Sequence, residues 1–432
     1  MFSSKRPLLL SRRFAPLFAV QFLIAFNGNF AKTAMLFLVA FSLPAAGEGV
    51  EVEPSLFSAL AAGVFVAPFL MFSAMAGKLA DGRDKARLIR SLKLYETVVM
   101  AIAATALLAG SVFAMLAALF LIGCQSAFLG PIKYAIIPQH VASDEVLSAT
   151  GLVEAGTFVA ILLGQIFGGI APASAVAISL VAISLVGLVA SFAIPAAPPL
   201  GEPAAERRAM VPFAQTWRIV ASAKTNRRLW HAILAISWFW AIGALATSQL
   251  VVMVEAELFA SPAVATAFLA IFSVGISAGS LIASKLLDAE ISGRLAPPAA
   301  VGMSLGLFLL LAGTAIAGPQ AGTRGIVDFL FSPTGVLAFV GLSLMAVCGG
   351  VFVVPLYAIL QTAGAPDTRS RDIAANNILN AVAMVGAAGT AAALTSLKVK
   401  VSEIFLLLAV ANLIVAGTAF AMRSRAGAQS PV

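Results

Sequence analysis

The chain has 432 residues, 61% of them hydrophobic and 11% charged, with a mean hydropathy of +1.01. That composition excludes a soluble globular domain and points to a polytopic membrane protein. A net charge of +8 and a pI near 9.8 would suit a nucleic-acid binder, but the basic residues gather in alternate loops. They are therefore a topology signal, and nucleic acid is not an expected partner.

Apolar runs near the roughly 20 residues needed to cross a bilayer as helix recur along the chain. They predict an all-α membrane protein of about twelve spans: 14–42, 55–77, 91–110, 112–137, 146–170, 173–195, 229–254, 263–287, 297–317, 334–362, 372–396 and 402–422. The basic leader "KRPLLLSRRF" has no small-residue cleavage site after it, so the first run is expected to be a retained helix and not a signal peptide.

The first span contains "VQFLIAFNGNFAKTAM", which puts Asn27, Asn29 and Lys32 in the membrane. A charge there costs about 2.5 to 3.5 kcal/mol on insertion scales, so Lys32 is a candidate functional residue. Between spans two and three comes "GKLADGRDKAR", with Gly77, Asp81, Arg83, Lys85 and Arg87. Glu96 follows about two turns into span three, near Arg90 and Lys93; a snorkelling or structural role and a transport role both stand open.

Lys133 and Glu154 lie on spans four and five, each two to three turns from the short connection near Ser143. An antiparallel hairpin brings them to similar depth. They read either as a salt bridge that packs two helices or as a polar site, and the internal repeat favours the site. That repeat pairs "CQSAFLGPIKYAIIPQ" from Cys124 with "CGGVFVVPLYAILQ" from Cys348: cysteine, then Pro131 or Pro355, then Tyr134 or Tyr357. In the second copy Leu356 stands beside Pro355, and only Asn376, Asn377 and Asn380 fall opposite Glu154, so the fold packs there without the ion pair. On span five, Thr150, Glu154, Thr157 and Gln165 share a face expected to line a wet cavity. Gly164 with Gly168, and Gly275 with Gly279, form small-residue faces on spans five and eight, suited to close helix contact.

The repeat superposes six spans on six. The domains read as 1–195, a six-helix half; 196–228, a polar linker, "AAPPLGEPAAERRAMVPFAQTWRIVASAKTNRR"; and 229–432, a second six-helix half. Alternate segments carry Lys5, Arg6, Arg12 and Arg13, then Lys78 to Lys93, then Arg207 to Arg228, then Lys285, Arg294, Arg369, Arg371, Arg423 and Arg425. The opposite loops hold Arg324, Lys398 and Lys400, so both termini are expected in the cytoplasm of a bacterial inner membrane. Cys124 and Cys348 have no metal-ligand spacing, and His140 and His231 have no nearby catalytic partner in sequence. No catalytic residue, metal or cofactor is expected.

Two parallel six-helix halves and the motif "GKLADGRDKAR" resemble the major facilitator superfamily. That resemblance implies alternating access, with Gly77 allowing close helix packing and Asp81 and Arg83 governing switching at a neighbouring helix end. "QFLIAFNGNFAKTA", "GPIKYAIIPQ", "GLVEAGTFVAILLGQIFGG", "SWFWAIGALATSQL" and "GGVFVVPLYAILQ" further resemble the bacterial lysophospholipid transporters. They are most similar to the transporter portion found fused to acyltransferase and acyl-acyl-carrier-protein synthetase domains. Such domains are not expected here, where "RSRAGAQSPV" follows the last span.

The family implies inward flipping of lysophospholipid, chiefly lysophosphatidylethanolamine, for reacylation by a cytoplasmic acyltransferase or synthetase partner. Asn29, Lys32, Glu96, Lys133, Glu154 and Thr157 are the residues expected to meet the substrate. One departure stands out: the family has Asp between two asparagines where this chain has Gly28, which removes a carboxylate four residues before Lys32. A proton-coupled transporter of small amphipathic solutes or drugs shares the same fold and loop motif, as would a non-transporting partner of an acyltransferase.

Overall fold

The computed structural model describes residues 7–42, 53–200, 212–318 and 324–427. Lys5, Arg6, Arg207 and Arg208 of the charge pattern lie outside them. Thirteen long helices account for most of the described residues: α1 Ala15–Phe37, α2 Pro54–Asp81, α3 Lys85–Leu108, α4 Val112–Ala135, α5 Val146–Ile170, α6 Ala173–Ser191, α7 Pro212–Ala223, α8 Arg227–Ala256, α9 Pro262–Leu286, α10 Ala296–Ile316, α11 Pro333–Thr362, α12 Arg369–Ser396 and α13 Val401–Gly427. Among the described residues, eleven helices are long and apolar enough to cross a membrane, and Val401–Gly417 forms a shorter apolar stretch in α13. The protein is a multi-pass membrane protein. All backbone polar groups of such spans must be satisfied internally, which is why the apolar runs become helices.

The helix ends follow local chemistry. Asp84 caps α3 by accepting from the Arg87 N–H at 2.9 Å, and Ser111 caps α4. Pro16, Pro54, Pro262 and Pro297 occupy the first turns of α1, α2, α9 and α10, where the missing N–H costs nothing. The repeat prolines, Pro131 and Pro355, lie inside α4 and α11, as does Pro68 inside α2. The Asp84 cap starts α3 six residues earlier than the expected span at 91. Lys93, near the start of the expected span, is therefore eight residues into the helix and fully buried.

Two compact units divide the chain: Met1–Ile233 with Leu360–Ala381, and Leu234–Ile359 with Val382–Val432. In the first, α1 packs on α5 and α6, α2 on α4, and α3 on α4 and α6. Phe30, Met35, Phe57, Met100, Met115 and Ile122 belong to its apolar core. The Gly164 and Gly168 face lies against α1. A Cβ at Gly168 would stand 2.7 Å from the Phe30 carbonyl oxygen, and one at Gly164 would press on the Phe26 carbonyl, so these glycines let α1 close onto α5.

In the second unit, Gly275 and Gly279 do the same for α9 against Ala346 and Val347 of α11. There α10 packs on α13 through Asn412, whose amide donates to the Ala300 carbonyl at 2.7 Å and Ser304 Oγ at 3.0 Å. Trp238 Nε1 donates to Asn412 Oδ1 at 3.0 Å, and Trp240 Nε1 to the Tyr357 hydroxyl at 2.8 Å. An apolar recess in this unit is lined by Phe239, Phe272, Ile276, Met303 and Met345 among others.

Candidate substrate site

Lys133 and Glu154 do meet. Proline at 131 and the Asp144–Glu145 turn set the hairpin of α4 and α5, and Lys133 Nζ stands 3.7 Å from Glu154 Oε1. The lysine side chain is 13% exposed and the carboxylate 1%. The shorter hydrogen bond from Lys133 goes to Thr157 Oγ1 at 2.9 Å, while the Thr157 hydroxyl donates to the Val153 carbonyl. The Tyr134 hydroxyl donates to Glu154 Oε1, and Lys133 Nζ lies 4.8 Å from the Tyr134 ring centroid. Glu154 Oε2 is buried with no hydrogen-bond partner among the described residues. A buried carboxylate oxygen without a donor is costly, and a donor brought to it would be bound favourably.

On the same helix face, Thr150 is buried and accepts from Gln361 Nε2 at 2.9 Å. Further along the chain, Asn376 is fully buried with neither side-chain polar atom bonded among the described residues. Gly130 leaves the space that the Asn377 amide occupies, since a Cβ there would collide with it. Gln165 shows no side-chain hydrogen bond among the described residues.

Lys32 is half-buried on α1, and among the described residues it has neither a hydrogen bond nor an ion pair. Its Nζ lies 5.6 Å from the centroid of the Phe65 ring. Asn29 spends its amide on its own helix, donating to the Ala25 carbonyl at 2.8 Å. At Gly28 a Cβ would meet Ile122 Cγ2 at 3.6 Å, an ordinary contact. The site therefore has room for a side chain where the helix carries none.

Glu96 lies apart from Lys133 and Glu154. Its Oε2 accepts from Lys93 Nζ at 2.8 Å and from Gln125 Nε2 at 2.6 Å, and its Oε1 from Asn27 Nδ2 at 3.5 Å. Asn27 also donates to the Leu180 carbonyl at 3.0 Å. Lys93 and Glu96 are both fully buried, and Gly187 leaves the gap that the Lys93 ammonium fills. This network ties α1, α3, α4 and α6 together. Neither Glu96 nor Glu154 is paired with Lys32. Sequence reasoning missed Lys93 and Gln125, although the i, i+3 spacing of Lys93 and Glu96 was a usable signal.

At the helix ends, Asp81 accepts from the backbone N–H groups of Ser370 at 2.8 Å and Arg371 at 3.2 Å, and from Arg371 Nε at 2.9 Å. It thus caps α12, where a negative charge also meets the positive end of the helix dipole. Gly77 permits the approach: a Cβ there would stand 2.7 Å from Ala374 Cβ and 2.8 Å from the Ser370 carbonyl oxygen. Arg83 is exposed and unbonded among the described residues. His140 is buried beside the Pro195 and Ala196 carbonyls, and burial holds its imidazole below the usual range against the weaker opposite pull of those carbonyls and Asp84. His231 is half-buried at the start of α8. Cys124 and Cys348 are free thiols.

The sequence profile of the Major Facilitator Superfamily matches residues 17–388. The lysophospholipid transporter LplT of Citrobacter koseri is 30% identical over 358 residues, covering 80% of this chain and 79% of the relative. Its namesake from Cronobacter sakazakii is 27% identical, covering 86% and 84%. Among solved structures, the human organic anion transporter MFSD10 matches with a TM-score of 0.69 at 16% identity, over 94% of this chain and 99% of its own. The Escherichia coli fucose:proton symporter FucP matches with a TM-score of 0.64 at 15% identity, over 94% and 98%. With a match across most of its length, and a 30% identical relative aligned over four fifths of both chains, this protein belongs to the major facilitator superfamily and, within it, to the lysophospholipid transporter family.

Proposed function

We propose that the protein moves lysophospholipid, chiefly lysophosphatidylethanolamine, across the bacterial inner membrane to the cytoplasmic leaflet by alternating access. The observation that carries this reading is the loosely closed Lys133 and Glu154 pair, 3.7 Å apart, with Glu154 Oε2 lacking a donor. A phosphoethanolamine headgroup is a zwitterion that can take both partners. Its ammonium donates to Glu154 Oε2, and its phosphate accepts from Lys133 as that ammonium turns away from the carboxylate. Thr157 and Tyr134 keep the two side chains in place during the exchange. Lys32, over the Phe65 ring and without an ion pair among the described residues, supplies a second cation for the phosphate. The names of the relatives support the substrate class.

In this reading the halves 1–195 and 229–432 move about the linker 196–228. Both termini lie in the cytoplasm, where an acyltransferase or synthetase consumes the product. Asp81, Gly77 and Arg83 act on switching, and Asn29 and Glu96 serve by shaping the first helix. The test is a proteoliposome assay with labelled lysophosphatidylethanolamine, with and without a proton gradient. Movement of label that requires active protein supports the proposal. Gradient-driven uptake of a soluble amphipathic compound, with no movement of lysolipid, would replace it with the solute-transporter reading.

A further inference from the structure

Helix α7 takes no part in the transport chemistry above, yet its two faces differ sharply. Thr216, Val220 and Ala223 are buried at i, i+4 and i+7, where α7 packs along α2. The other side carries Trp217, 68% exposed, with exposed Arg218 and Ala221, and exposed Lys224 follows the helix directly. Lys224 Nζ lies 5.2 Å from the ring centroid of Trp230, in the first turn of α8, and the exposed Arg227 begins that helix. No Asp or Glu occurs between Glu206 and Glu255, so this surface has no acidic residue of its own segment to neutralise it.

Position narrows what can cover such a face. Only residues 224–226 separate α7 from Arg227, where a membrane-spanning helix begins. Three residues reach at most about 10 Å, so the C-terminal end of α7 is held close to the polar boundary of the bilayer. Indole rings favour that boundary, and guanidinium groups fork onto phosphate diesters. A water-facing helix has no comparable reason to combine an exposed tryptophan with basic residues that no acid of their own segment offsets.

We propose that the Trp217, Arg218, Lys224 and Arg227 face is an interfacial anchor that binds anionic phospholipid headgroups of the phosphatidylglycerol type. This site reads net negative charge and stands independently of the zwitterionic substrate. Each basic residue near a charged membrane surface contributes about five-fold in lipid partitioning.

The test uses the full chain in nanodiscs whose lipids are brominated near the headgroup end of the acyl chains. The difference between wild type and Trp217→Phe isolates one of the four tryptophans. The expected result is stronger quenching of Trp217 by brominated phosphatidylglycerol than by an equal fraction of brominated phosphatidylcholine. The combined Arg218→Gln, Lys224→Gln and Arg227→Gln variant should lose that preference. Wild-type protein at about 1 M salt, where screening falls to about 3 Å, should lose it too, which keeps the test open if the variant misfolds. Equal quenching by both lipids would overturn the proposal by showing an apolar anchor without headgroup selectivity. No quenching by either would overturn it as well, and would leave the face to a protein partner.

Discussion

Lys133 stands 3.7 Å from Glu154 but gives its shorter hydrogen bond, 2.9 Å, to Thr157. The ion pair is thus present without being the best contact either partner makes, since Glu154 is also held by the Tyr134 hydroxyl. A pair of that kind can open for a zwitterion at low cost. Glu154→Gln keeps the shape and the tyrosine contact, and we expect it to abolish lysolipid movement in proteoliposomes while the protein stays folded and membrane-inserted. Lys133→Ala should abolish movement too, but with a loss of about 3–5 kcal/mol, because it strands a buried carboxylate. Normal transport by Glu154→Gln would reduce the pair to helix packing.

The Lys93 and Glu96 pair should behave in the opposite way. Both side chains are fully buried and closed by Gln125 and Asn27. Lys93→Met alone is expected to cost about 3–5 kcal/mol, and the double variant Lys93→Met with Glu96→Gln to recover most of it. Thermal unfolding in detergent measures this, and transport by the double variant should persist. A stable double variant that no longer binds lysolipid would place Glu96 in the substrate path.

Substitution at Gly28 probes the unpaired Lys32. A side chain there meets Ile122 at ordinary distance, so Gly28→Asp fits and places a carboxylate four residues before the lysine. The gain in helix propensity and pairing should total about 0.5–1 kcal/mol. We expect higher thermal stability and faster lysolipid movement, whereas Lys32→Met should stop movement in either background. Unchanged transport in both would remove α1 from the headgroup path.

Asp81→Asn leaves the amide unable to accept from all three donors of Ser370 and Arg371 with the strength of a carboxylate. It should slow transport several-fold with little change in equilibrium lysolipid binding. Gly77→Ala forces the same helix ends apart against Ala374 and the Ser370 carbonyl, at about 1–3 kcal/mol. Transport rates beside binding isotherms separate the two effects; a large loss of affinity in Asp81→Asn would contradict a switching role.

His140 gives a pH dependence with a definite sign. Burial lowers its folded pKa, so its neutral form contributes stability fully above the unfolded value of about 6.5. That contribution is lost as pH falls through the lower folded value. Melting temperatures at pH 7.5 and 5 should drop more for the wild type than for His140→Gln. An equal drop would assign acid sensitivity to other groups.

What the sequence determined by itself was set by the bilayer. Twenty-residue apolar runs must become helices, because no other open structure satisfies the backbone in lipid, and the expected spans from 146, 263, 297 and 334 start within one residue of the observed helices. Charges cost too much in that setting to be incidental, so Lys32, Glu96, Lys133 and Glu154 could be singled out from their positions alone. Which residues pair depended on how the helices pack. Depth along a helix is readable from residue count, but the rotation of each helix, and hence its neighbour, depends on packing with segments far away in the chain. Lys133 and Glu154, on adjacent helices joined by a short turn, were within reach of counting. Gln125 and Asn27 reach Glu96 from other helices, and Gly164 and Gly168 turned out to serve contact with α1. Lys93 shows the same limit at closer range: its spacing to Glu96 was visible, but its burial depended on Asp84 starting the helix early and on Gly187, ninety-four residues away, leaving it space.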